Sequence, residues 1–118
     1  NWVQSIAALE YSGAHTYTGR AYENALQRWP DHLLVGIAAG NHAYRHGKLN
    51  QAEQIFLATT QTHPESVAAL NNLAQTQSDL GKHEAALQTI NRALILGGPL
   101  QAEVRKTLSE IEQKIPKP

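Results

Sequence analysis

The chain of 118 residues carries ten basic and ten acidic residues, a formal net charge of zero, and no cysteine or methionine. Neutrality without a cluster of Lys and Arg argues against a nucleic-acid or anionic-surface partner. The missing cysteines exclude disulfides, thiolate catalysis and cysteine-bound zinc, and no apolar run approaches the length that a membrane span needs. No basic segment followed by an apolar run opens the chain, so no signal peptide is read in these residues. Without a methionine, and with helical patterning already under way at Trp2, the chain reads as a domain of a larger protein.

The first predicted helix carries an apolar stripe at Trp2, Ile6 and Leu9 and is broken at Gly13. The second, from about His15, places Tyr22, Ala25, Leu26 and Trp29 on one side and ends before Pro30, because the residue before a proline disfavours α geometry. Asp31 is the expected N-cap of the third helix, about Leu33 to His46. That helix is apolar on nearly all sides for two turns and holds Gly36 and Gly40. A helical glycine costs about 1 kcal/mol relative to alanine, so the pair predicts a close approach by a neighbouring helix. After Gly47 a fourth helix places Leu49, Ala52, Phe56 and Thr59 inside, with Glu53, Gln54 and Gln61 outside.

Pro64 and Ser66 mark the start of a fifth helix with Val67, Leu70, Leu73 and Ala74 as its inner stripe. After Gly81 a sixth buries Ala86, Leu87, Ile90, Ala93 and Leu94. Gly97-Gly98-Pro99 stops it and starts a last helix, with Pro99 expected at its first helical position. There Leu100, Val104, Leu108, Ile111 and Ile115 form one narrow apolar stripe, as in the polar capping helix that a solenoid end requires. The reading is all-α, seven helices in one domain of residues 1–118: units at about 1–32, 33–66 and 67–98, and a cap at about 99–115.

Across this order the sequence repeats itself. Gly13, Gly47 and Gly81 are equally spaced, and the same interval separates Tyr22, Phe56 and Ile90, the set Ala25, Thr59 and Ala93, and the pair Pro30 and Pro64. Columns of shared size at a fixed period signal a repeat array. These columns resemble the tetratricopeptide repeat family, whose helix–turn–helix unit has the same length, about 34 residues. The family's small residues stand at Ala39-Gly40 and Leu73-Ala74. Departures are Gly36 in the tryptophan column, Ala43 and Gln77 where tyrosine is common, and Ile6 where a small residue is expected.

The resemblance implies a right-handed α-solenoid whose first helices line a concave groove that binds a protein or an extended peptide. By column, the groove would be lined by Val3, Ala7, Glu10 and Tyr11, then by Leu34, Ile37, Asn41, Tyr44 and Arg45. Ala68, Asn71, Asn72, Gln75, Ser78 and Asp79 would complete it. Independently of the family, Asn41, Asn71, Asn72 and Gln75 offer donors and acceptors suited to a peptide backbone. Tyr44 and Arg45 are of the types enriched at binding hot spots. The family's clamp of Lys and Asn residues for a peptide C-terminal carboxylate is poorly matched, since Val3, Ala7, Ala38 and Ala68 occupy its columns.

Other chemistry is sparse. His42 and His46 have metal-ligand spacing but no third ligand, and read as surface imidazoles; His15 and His83 share a packing column. No nucleophile elbow or phosphate loop is present. The expected function is therefore a non-catalytic binding scaffold without a cofactor, inserted in no membrane by this segment, with a monomer favoured over self-association through the cap or the Trp2 edge. A weaker similarity to the repeat tails of bacterial C39-like peptidases gives the alternative. In that reading the segment is an appendage positioning substrate or partner for an exported enzyme whose catalytic domain lies outside these residues, with the periplasm favoured over the cytoplasm.

Overall fold

The computed structural model describes residues 15–117, with side chains from Gly19 onward. The expected first helix, its stripe at Trp2, Ile6 and Leu9, the Gly13 turn and the groove positions Val3, Ala7, Glu10 and Tyr11 lie outside the described residues, as does the His15 side chain. Within them six helices follow one another: α1 (His15–Arg28), α2 (Leu33–Arg45), α3 (Leu49–Thr62), α4 (Val67–Asp79), α5 (His83–Leu96) and α6 (Gln101–Lys114). No strand occurs among the described residues. Each helix packs on the next, and α2, α4 and α6 also pack in series. The result is an array of helical hairpins.

Helix ends repeat with the same period as the sequence. After α2 and after α4 a glycine in left-handed geometry (Gly47 φ 75°, Gly81 φ 80°) turns the chain. The amide of Lys48 donates to the Ala43 carbonyl at 2.9 Å and that of Gly47 to Tyr44 at 3.1 Å. Lys82 and Gly81 do the same to Gln77 and Ser78 at 2.9 and 3.0 Å. This is the Schellman closure, in which a residue without Cβ takes the positive φ cheaply. At the N-termini, Ser66 Oγ accepts from the Ala69 amide at 3.2 Å, as expected for α4. For α2 the expectation of Asp31 is corrected, because the cap is His32, whose Nδ1 accepts from the Val35 amide at 3.4 Å. His32 lies one repeat period before Ser66, so the period itself picks the cap. The Asp31 carbonyl instead accepts from His63 Nε2 at 2.6 Å, tying one inter-unit turn to the next.

The core lies in three clusters along the array. Leu70, Ala74, Ala86, Ile90, Val104 and Ile111 join α4, α5 and α6. Ala43, Ala52, Phe56 and Leu73 join α2, α3 and α4, and Tyr22 meets Ala39 between α1 and α2. The small residues of α2 act as expected. A Cβ built on Gly36 would lie 2.3 Å from Thr59 Oγ1, and one on Gly40 would lie 2.3 Å from Phe56 Cε1. Only glycine lets α3 lie this close.

Several positions depart from the expectation. Glu53 is buried at 7% exposure, and Lys82 reaches across from the next hairpin to pair with it at 2.6 Å. Trp29 falls beyond the end of α1 and is exposed, with the Arg28 guanidinium 4.9 Å above its ring. The last helix starts at Gln101 with Leu100 as its N-cap, so Pro99 belongs to the preceding turn and Leu100 is exposed. His42 is buried under Tyr22, ring centroids 4.9 Å apart, and is no surface imidazole; its ring also meets His46 at 4.3 Å.

Candidate functional site

One side of α2 carries Ile37, Asn41, Tyr44 and Arg45, spaced four, three and one apart, which aligns them along a single helical face. The matching side of α4 carries Asn71, Asn72, Gln75 and Asp79. Because α2, α4 and α6 pack side by side, these stripes meet in one continuous face. Ile37, Asn41, Tyr44, Asn71, Asn72 and Gln75 are half-buried, whereas Leu34, Arg45 and Asp79 are exposed. All eight candidate residues (Ile37, Asn41, Tyr44, Arg45, Asn71, Asn72, Gln75, Asp79) therefore fall on two adjacent helices.

Polar contacts link the helices across this face. Asn72 Nδ2 donates to Asn41 Oδ1 at 2.9 Å, joining α4 to α2. Gln75 Nε2 donates to Thr107 Oγ1 at 3.4 Å, joining α4 to α6. The Tyr44 hydroxyl donates to one oxygen of Asp79, and Lys114 donates to the other, so three helices are clasped through one carboxylate. The amides thus serve the scaffold as well as any ligand. Asn71 is different: its Oδ1 is covered and makes no hydrogen bond among the described residues. Ser78 is buried at 4% exposure, against the expectation of a groove-facing hydroxyl, and its Oγ also lacks a partner among those residues.

The clasp shifts both titrations. Burial, the hydrogen bond to Asp79 and the nearby charges of Asp79 and Glu110 push the Tyr44 phenol up to about 12. For Asp79, burial alone would raise the carboxyl. The hydrogen bonds from Lys114 and Tyr44, with the Lys114 charge, outweigh it and hold the group below its ordinary value. The carboxylate is ionised and the phenol neutral at physiological pH.

Residues of α6 complete the face, and the amphipathic reading of α6 as a simple cap missed them. Thr107, Glu110 and Lys114 line a small open cleft of about 60 Å³ together with Tyr44, Ser78 and Asp79. A signal for them existed. Val104, Thr107, Leu108 and Ile111 stand one repeat period after Leu70, Leu73, Ala74 and Gln77, so α6 continues the first-helix register. Among the described residues no group of three or more His, Cys, Asp or Glu could hold a metal ion. No described helix is long and apolar enough to cross a membrane.

A constant sequence period, paired helices closed by left-handed glycines and first helices stacked into one face define a helical-hairpin repeat protein. A family model described as Tetratricopeptide repeat matches residues 37–100, more than half of the chain. The chain belongs to the tetratricopeptide repeat family, whose members are typically interaction scaffolds. It is 31% identical over 93 residues to Protein FlbA of Caulobacter vibrioides, a match covering 79% of this chain and 16% of FlbA. The chain therefore spans only that small share of this curated relative. In three dimensions it is similar to the TPR2B domain of yeast Sti1 in its pHsp70 complex, with a TM-score of 0.84, 14% identity and coverage of 97% and 98% of the two chains. It is also similar to the first TPR of Spaghetti (RPAP3) bound to an HSP90 peptide, with a TM-score of 0.82, 18% identity and coverage of 95% and 88%. At these identities the likeness establishes the fold alone.

Proposed function

We propose that the domain is a non-catalytic scaffold that binds an extended segment of a partner protein along the face of α2, α4 and α6. The observation that carries this reading is the stripe of half-buried amides at Asn41, Asn71, Asn72 and Gln75 beside the Tyr44 and Arg45 anchors. Amide side chains match the alternating N–H and C=O groups of an extended backbone. The unpartnered Asn71 oxygen supplies an acceptor that a backbone N–H of a bound segment would satisfy once the amide turns outward. Peptide complexes among the structural neighbours support the same use of the fold. The partner is not expected to be held by a carboxylate clamp, because Ala38 and Ala68 present no donors on this face.

The test is an affinity capture comparing the wild-type domain with a variant combining Asn41→Ala, Arg45→Ala, Asn71→Ala and Gln75→Ala, both checked for helical content by circular dichroism. Loss of a specific partner from the folded variant supports the reading. Retention of every partner by both proteins rejects this face as the interface.

A further inference from the structure

The cleft between α4 and α6 has a chemistry of its own. Its charged lining is two carboxylates, Asp79 and Glu110, against one ammonium, Lys114. Hydroxyl groups of Tyr44, Ser78 and Thr107 add further oxygen acceptors around it. Ser78 is a second, independent sign of a ligand position: a hydroxyl in a 4% exposed residue, without a hydrogen bond among the described residues, lining an open cleft. A buried unpartnered polar atom is costly unless something satisfies it. Lys114 shows which kind of group the cleft accepts, since its side chain, half exposed at the end of α6, places an ammonium on Asp79.

We infer that this cleft is a subsite for a lysine side chain of the bound partner, in which Lys114 of the protein itself sits as a displaceable surrogate. The inference rests on the proposed use of the face and names the chemistry of one position along it. A partner lysine entering from the groove takes the Asp79 oxygen now held by Lys114. The released Lys114 returns to solvent at small cost, because an exposed lysine is held weakly. Glu110 then balances the incoming charge, and Tyr44 keeps its own bond to the other Asp79 oxygen. Lys114 thereby tunes affinity, because a partner binds only the fraction of molecules whose cleft is open.

The experiment needs no identified partner. Backbone amide resonances of the domain are followed during titration with Nα-acetyl-lysine methylamide, with Nα-acetyl-glutamate methylamide as the control. Saturable shifts at Tyr44, Ser78, Asp79 and Thr107 are expected with the lysine probe and not with the glutamate probe. Lys114→Met, which keeps the aliphatic stem and removes the competitor, should tighten binding by up to about five-fold. Asp79→Asn should abolish it. Helical content and urea unfolding of the Asp79 variant, expected to stay close to wild type, guard against a folding defect. Equal shifts with both probes, or no saturable shift in Lys114→Met, would overturn the subsite. The capture experiment with the four-residue variant reads the groove independently, so a failed cation subsite with a groove-dependent partner discards only this inference.

Discussion

Helix α2 takes part in two interfaces built by opposite means. Against α3 it presents Gly36 and Gly40, and the helices close until Thr59 and Phe56 touch its backbone. Toward α4 it presents Asn41 and Tyr44, and the helices are joined by side-chain hydrogen bonds across a half-exposed face. The first interface is closely packed and leaves no room for a Cβ at either glycine. The second is polar, and in the proposed function its side chains exchange these partners for those of a ligand. The closest backbone approach thus lies in the α2–α3 seam, and the proposed recognition face on the other side of the same helix.

The sharpest way to break this contrast is to empty the seam. Phe56→Ala removes a fully buried ring and should cost about 3–5 kcal/mol in urea unfolding, a large share of the stability of a domain this size. Gly40→Ala drives a methyl into that fully buried ring and should cost about 1–3 kcal/mol. Gly36→Ala meets the smaller Thr59 side chain. The double variant with Thr59→Ala should recover part of the loss, giving a measurable coupling in a double-mutant cycle. If either glycine variant were neutral, the close approach would not be what holds the hairpin.

On the recognition side the effects are smaller. Asn72→Ala removes the bridge to Asn41 and should cost about 1 kcal/mol, comparable to loss of the Ser66 cap in Ser66→Ala. The smallest effect belongs to Asp79. Its carboxyl is held below its ordinary value in the fold, so its contribution is present above the unfolded value near 4 and fades as pH falls through the folded one. The stability difference between wild type and Asp79→Asn should therefore be constant from neutral pH to about 5 and shrink below about 4. A difference unchanged at acid pH would show that the clasp with Lys114 and Tyr44 contributes nothing through charge.

Much of the fold was legible because period and residue size carry it. Gly47 and Gly81 had to turn the chain, and Gly36 with Gly40 had to admit a neighbouring helix. What the pattern hid were contacts between repeats. Glu53 looks like a surface residue on its own helix, yet it is buried and paired with Lys82 of the next hairpin. His42 looks like half of a metal pair, yet it is buried with the Tyr22 ring against it. Asp31 outranks His32 on intrinsic capping preference, yet the backbone turn selects the residue in register with Ser66. For the candidate site, the α2 and α4 columns were readable from the repeat. The share of α6 was obscured by its charged sequence, although Thr107 and Ile111 continue the same register.

The central claim, that recognition uses the face of α2, α4 and α6, is tested most directly by calorimetric titration of a captured partner against two sets of variants. One set carries Asn71→Ala and Arg45→Ala on that face; the other carries Gln54→Ala and Asn91→Ala on the exposed sides of α3 and α5. The face variants should each weaken binding about ten-fold, the effect of losing a hot-spot contact of about 1.4 kcal/mol, with the others within about two-fold. A partner that responds to Gln54→Ala and Asn91→Ala while ignoring Asn71→Ala and Arg45→Ala would contradict the account.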